Sequence, residues 1–210
     1  MGRTAAAERF AFYSEVPCLD FMVTLRGRKE ERRETLTTWG DFLDWCVKAG
    51  VLGENESRRL RSLPARETHK YLHSAIRLRE VLYRIVSAQE AKRAVPSGDV
   101  AWLNRLLRRG RVYWQLQLDG RGTQTKQTVT MLAEPWRPLV QIAQSALDLM
   151  TSDDLDMLRA CANPRCSVLF VDRSKNHTRR WCSMARCGNL IKVTNFYARK
   201  RAERLKLKAS

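Results

Sequence analysis

Apolar residues along this chain recur first at helical spacing and then at strand spacing, and the change of period organises it. From Trp39 to Ala49, Phe42, Leu43, Cys46 and Val47 share one helical face, Thr38 can cap the start and Gly50 can end the helix. Asp41 and Asp44 lie near that start, where the helix dipole favours acids. The longest predicted helix runs from about Ala65, after Pro64, to Lys92, before Pro96-Ser97-Gly98. Leu72, Ala75, Ile76, Leu82, Tyr83 and Val86 step along it by threes and fours, with Arg77, Glu80 and Arg84 facing elsewhere. A shorter helix, Asp99 to Arg108, presents Val100, Leu103, Leu106 and Leu107. The period then drops to two. Val112, Trp114, Leu116 and Leu118 alternate with polar residues, Asp119-Gly120-Arg121-Gly122 supplies a turn, and Thr123 to Leu132 is rich in Thr and Val, which predicts a β-hairpin. After Pro135 a helix is expected from Leu139 to Met150, and Thr151-Ser152-Asp153-Asp154 reads as a domain boundary. Upstream, Phe10 to Leu25 is aromatic and apolar, and the charged run Arg26 to Glu34 reads as an exposed loop or helix end.

Beyond the boundary the signal is chemical. Cys161-x4-Cys166 and Cys182-x4-Cys187 stand 15 residues apart, whereas Cys18 and Cys46 sit singly in apolar surroundings. In a reducing compartment two close pairs point to a metal rather than to disulfides. Four thiolates satisfy a tetrahedral zinc and leave no open position for water, so a single structural Zn2+ is expected. Asn163-Pro164 turns the chain inside the first pair. Ser167 to Val171 and Thr178 to Trp181 are expected to pair as strands across Asp172 to His177, and Ser183 to cap a helix starting near Met184. Knuckle, hairpin and helix in that order make a treble-clef-like module. At about 50 residues it is too small to rely on its own apolar core, so the metal contributes to its folding. The fold class is therefore α+β: a mainly helical N-terminal domain with one β-hairpin, residues 1–153, then the zinc module, residues 154–210.

Charge adds a partner. The chain has 210 residues and a net charge of +17, and from Arg159 onward 14 Lys and Arg face only two acids, Asp172 and Glu203. A like-charged block on a folded module points to a polyanion, and duplex DNA is the primary expectation. The C-terminal helix has a seam at Met184, Cys187, Ile191, Thr194, Ala198, Ala202 and Leu205 that can pack on the hairpin or a neighbour. Lys192, Arg199, Lys200, Arg201, Arg204, Lys206 and Lys208 are available to phosphates, joined by Arg173, Lys175, Arg179 and Arg180 from the hairpin, and Arg186 and Asn189 are candidates for base contact. No stretch approaches the roughly 18 apolar residues of a membrane span, so a cytoplasmic protein, nucleoid-associated when bound, is expected.

Cys161-Ala-Asn-Pro-Arg-Cys166, Leu169-Phe170-Val171-Asp172-Arg173-Ser174 and Trp181-Cys182-Ser183-Met184-Ala-Arg-Cys187-Gly188-Asn189 resemble the CGNR zinc finger. Cys18-Leu19-Asp20-Phe21, Trp39 to Trp45, Gly50-Val51-Leu52, Leu78 to Arg84 and Leu103-Asn104 resemble, in order, the ABATE domain that accompanies it. The resemblance implies a bacterial stress-induced transcription regulator with the four cysteines as ligands and an N-terminal domain that senses a small molecule. Asp20 and Arg79 are the candidate effector-binding residues, set against a purely structural role for both. Two positions depart from the pattern: Leu190 replaces the signature arginine, and Val23 stands where the family commonly has asparagine.

A DNA-binding regulator that is not an enzyme is thus the leading expectation, with a homodimer compatible with it. An RNA-binding or zinc-stapled interaction module is the alternative. A treble-clef nuclease using Asp172, Asn176 and His177 is a further one, weakened by the single histidine there. His69 and His73 lie four apart on the long helix, a spacing more common in exposed residues than in metal sites, and Trp39, Trp45 and Trp114 are expected in the core.

Overall fold

A computed structural model describes residues 9–118, 124–131 and 134–209. The expected turn Asp119-Gly120-Arg121-Gly122 lies outside the described residues, as do the side chains of Trp114, Leu205, Lys206 and Lys208.

The long helix α4 (Ala65–Glu90) is the axis of the helical part, touched by α1 (Pro17–Met22), α2 (Trp39–Lys48), α5 (Ser97–Leu107) and α6 (Arg137–Met150). It starts directly after Pro64, because proline opens a helix readily, and it ends at Glu90, two residues short of the expected Lys92, which leaves the helix with φ +53°. In α2 the Thr38 hydroxyl accepts from the Asp41 N–H while the Asp41 carboxylate accepts from the Thr38 N–H, a closed capping box. Two aromatics of α2, Phe42 and Trp45, pack on Phe21 of α1, and Leu78, Leu82 and Ile85 of α4 are buried with Leu139, Ile142 and Ala146 of α6. The 8-residue strands β3 (Arg111–Leu118) and β4 (Gln124–Met131) pair antiparallel with Trp114 opposite Thr128, which is the expected hairpin.

Two elements were not visible as such in the pattern. The charged run after Leu25 is not a plain loop or helix end but a minimal hairpin, β1 (Leu25–Arg26) with β2 (Arg33–Glu34). Its turn requires glycine: Gly27 has φ +65°, and a Cβ there would collide with the Glu31 carbonyl. Between α2 and α4 lies a further helix, α3 (Glu54–Arg61), whose composition is nearly all polar because only Leu60 goes deep into the core.

The β1–β2 hairpin presents Glu34 to Arg79. The Arg79 side chain is 2% exposed and forks onto both Glu34 oxygens at 2.6 Å, with its Nε on Glu80 at 2.9 Å. Arg28 closes the network, bonding both Glu80 oxygens at 2.6 and 3.0 Å while lying 4.1 Å from the centre of the Tyr83 ring. Burial alone would raise the Glu34 and Glu80 carboxyls; the hydrogen bonds from Arg79 and Arg28 outweigh it and hold both below their ordinary value. A carboxyl depressed in the folded state contributes stability that is present above its unfolded value, near 4.5, and is lost as pH falls through the folded value. Arg79→Met should therefore destabilise the protein at pH 7 by about 3 kcal/mol, the scale for breaking a buried ion pair. It should also flatten the loss of stability below pH 4.5, as denaturant melts at pH 7, 5 and 3.5 would report.

Candidate metal centre

The second half of the chain reaches its site through β5 (Leu158–Ala160) and β6 (Leu169–Val171), which pair antiparallel with Arg159 opposite Phe170. This corrects the expected strand pairing. Residues Thr178 to Trp181 are not a strand, since the Arg179 N–H is taken by the Asp172 carboxylate at 2.9 Å. That carboxylate also accepts from the Ser174 N–H and hydroxyl, so the polar turn closes on itself instead of laddering. The partner strand is β5, just past the expected boundary, where no alternation marks it.

Period-two geometry then divides β6 between two environments. Leu169 and Val171, with Leu158 of β5, join the core of the helical part, while Phe170, 0% exposed, packs with Cys161 and Cys182. All three residues of β6 are buried, one strand serving two cores.

Around Phe170 the four cysteines converge. The Sγ atoms of Cys161, Cys166, Cys182 and Cys187 lie within 4.8 Å of one another, with Cys166 to Cys182 at 3.8 Å and Cys182 to Cys187 at 3.6 Å. Tetrahedral zinc with bonds of about 2.3 Å needs sulfurs roughly 3.8 Å apart, so the set fits the ion and can hold one structural zinc. Each pair is shaped locally. Cys166 N–H donates to the Asn163 carbonyl at 2.8 Å, folding the first knuckle, and the Cys161 N–H donates to Val168 at 3.0 Å. In the second pair the Ser183 carbonyl accepts from both Cys187 and Gly188 N–H, at 2.9 and 3.1 Å, a wide turn that swings Cys187 back toward Cys182. Gly188 is needed there, because a Cβ would run into Met184 Sδ and come within 3.1 Å of Trp181. Ser183 does cap this turn, its hydroxyl accepting from the Arg186 N–H at 3.4 Å. The sulfurs also receive N–H donors: Asn163 Nδ2 to Cys187, Val168 N to Cys166 and Cys182 N to Cys161, each at 3.5 Å.

Electrostatics show why a dication belongs among them. A hydrogen bond from the Cys182 thiol draws Cys166 down to about 5, and the same contact, with burial, pushes Cys182 far up. Burial pushes Cys187 to about 11. Sulfurs this close cannot all be thiolates unless a cation stands among them. A metal taking all four as thiolates must displace protons.

Three residues support this site in ways the sequence did not show: Tyr13 carried no signal, Asn163 was expected only to turn the chain, and Arg179 was expected on phosphates. Asn163 is 4% exposed and ties the first knuckle to Cys187. Tyr13, from the segment before α1, accepts from Arg179 at its carbonyl and from Arg186 at its hydroxyl. Arg179 lies 4.3 Å from the centre of the Phe170 ring and also donates to the Trp181 and Cys182 carbonyls. Among the other expected nucleic-acid contacts, Arg173 pairs with Asp154 and Arg180 stacks on Trp181, both with exposed side chains, and Lys175 is exposed in the turn. Arg186 and Asn189 are exposed at the start of α7 (Asn189–Ala209), and Lys192, Arg199, Lys200, Arg201 and Arg204 are exposed along it. The expected seam of that helix is not packed: from Asn189 to Arg204 every side chain is exposed except the half-buried Ile191.

The candidate effector residues have partners within the fold. Asp20 accepts from the Tyr13 and Ser14 N–H groups at 2.7 and 3.1 Å, and Arg79 sits in the ion-pair network above. Neither lines the cavity of about 370 Å³ that lies between α1, the β1–β2 hairpin and the zinc module. Both positions that depart from the family pattern, Val23 and Leu190, do line it. His69 and His73 are exposed on α4, while Trp39 and Trp45 are in the core.

Because β5 and β6 are anchored in the helical core, metal removal should unravel only part of the module. With a chelator, amide exchange is expected to accelerate at residues 161–167 and 180–188 while α4 and β6 keep their protection; unchanged protection at 180–188 would contradict the zinc assignment. At least two protons, those of Cys182 and Cys187, should leave on loading, so the apparent zinc affinity should climb at least a hundredfold per pH unit between pH 6 and 8.

The family profile ABATE, described as "putative stress-induced transcription regulator", matches residues 15–153, and the CGNR zinc-finger profile matches residues 157–200. No curated protein matches the chain. With one profile spanning well over half of the chain, and the tetrathiolate cluster falling inside the other, the protein belongs to the ABATE family and carries a CGNR zinc finger built on one structural zinc.

Proposed function

We propose that this protein is a DNA-binding transcription regulator that holds duplex DNA with α7 and the turn leading into it. The observation that carries this reading is the state of α7: 21 residues long, with Lys192, Arg199, Lys200, Arg201 and Arg204 flanking an uncharged seam, exposed from Asn189 to Arg204 apart from the half-buried Ile191, and rooted directly in the turn that carries Cys187. Such a helix is about 30 Å long and slim enough for a major groove roughly 12 Å wide. Lys192, Arg199, Lys200, Arg201 and Arg204 supply phosphate contacts along the helix, the exposed Lys175 and Arg180 of the preceding segment add to them, and Asn189 and Arg186 stand where the helix begins. Leu190 puts a leucine where the signature has arginine, so affinity rests on phosphates more than on that position.

The action is binding and not hydrolysis. Asp172 is spent on Ser174 and Arg179, and His177 Nδ1 lies 3.1 Å from the Asp172 carbonyl, which supports a structural role for the residues a nuclease would need. Among the described residues no helix is long and apolar enough to cross a membrane. On the DNA-binding reading its place of work is the cytoplasm, at the nucleoid, with stress as the family's stimulus.

With zinc loaded, affinity for duplex promoter fragments should fall with salt at a log–log slope of about −5, for roughly six phosphates released from counterions. Lys200→Ala, Arg201→Ala and Arg204→Ala together should cut that slope by about 2 to 3. Arg179→Ala, whose guanidinium is committed to carbonyls of its own fold, should weaken the zinc module and leave the slope near its original value. Salt-insensitive binding would sink the DNA reading, tighter binding of single-stranded RNA at equal salt would transfer it to RNA, and magnesium-dependent plasmid cleavage lost in His177→Ala would make the protein an enzyme.

A further inference from the structure

The cavity between the helical part and the zinc finger has no role in the DNA reading, and its lining is chemically uneven. Its body is aliphatic: Leu19, Met22, Val23 and Leu25 on one side, Val168, Leu169 and Leu190 on the other. At about 370 Å³ it is within the range of roughly 300 to 1,000 Å³ in which small-molecule sites fall, and a largely apolar wall with a few polar groups is their usual composition.

The charges at its edge decide what it would hold. Arg26, Arg165 and Arg186 line it together with Glu30. Glu30 is paired with Arg165, and Arg186 is bonded to the Tyr13 hydroxyl. Three of the zinc ligands, Cys166, Cys182 and Cys187, also form its wall. A zinc ion on four thiolates carries two negative charges, so the site as a whole is balanced and offers no surplus for a charged guest. An ion entering there would shed water without gaining a counter-charge. Leu190 sharpens the point: the signature arginine at this place would have set a cation against the aliphatic wall, and this chain sets an isobutyl group there.

We infer that this cavity is a binding site for an uncharged, predominantly apolar small molecule, gripped between Val23 of the helical part and Leu190 of the finger. The guest touches both walls, so it also ties the root of α7 to the helical part. The site is separate from Asp20 and Arg79, and its existence does not depend on DNA binding.

The zinc-loaded full chain titrated with the neutral fluorophore N-phenyl-1-naphthylamine should show saturable binding at one site per chain. Val23→Trp fills the cavity from one side and Leu190→Arg lays a guanidinium in it from the other. Each should weaken binding at least tenfold with zinc content unchanged, and Leu190 is half exposed, so that variant keeps its fold. Val193→Arg, an exposed apolar position farther along α7 that does not line the cavity, should bind as the original chain does. The anionic relative 1-anilinonaphthalene-8-sulfonate should bind at least tenfold more weakly. Absence of saturable binding, loss in Val193→Arg, retention in both cavity variants, or preference for the sulfonate would each overturn the inference.

Discussion

Four sulfur atoms drawn within 4.8 Å of one another cannot all be charged unless a cation stands among them. That constraint governs the C-terminal half. It decides why Cys187 is reached by a wide turn rather than a regular helical start, why Gly188 must lack a side chain, and why buried amide donors from Asn163, Val168 and Cys182 are aimed at sulfur. The helix α7 continues from that turn without a break, so its direction is inherited from the metal centre rather than from packing of its own faces.

The metal is only half of the attachment. In β6, three successive residues are buried, with Leu169 and Val171 in the helical core and Phe170 against the cysteines. Tyr13 adds a second tie, its backbone fixed by Asp20 and its carbonyl and hydroxyl holding Arg179 and Arg186. The finger is therefore seated on the helical part, and a core of shared side chains runs across the boundary near residue 153. The 50-residue module borrows apolar burial from its neighbour, which relieves the metal of carrying the whole fold.

This seating changes the meaning of several charged residues. Arg179 looks like its neighbour Arg180 in the chain, yet one braces three carbonyls and the other lies exposed over an indole. Arg79, between Leu78 and Glu80 in the chain, is enclosed by Glu80 of its own helix and Glu34 of β2. Positive charge free for a polyanion is concentrated on α7, where nothing apolar covers it.

Much of this was legible from the chain. Long helices announce themselves because the same faces repeat over several turns, the β3–β4 hairpin because period two is sustained for eight residues, and the ligand set because two cysteine pairs leave few chemical alternatives. What stayed hidden was short or non-local. A two-residue strand has no period, the polar helix α3 shows only one deep apolar position, and β6 reads as an unbroken apolar run whose two-sided burial depends on partners from distant segments. The pairing of β6 with β5, the bracing by Tyr13 and the meeting of Val23 with Leu190 at one cavity join residues far apart in the chain. Local propensity and spacing determined the elements and the metal's ligands; only the packing of those elements against one another decided which charges are structural, which are free, and where a cavity was left.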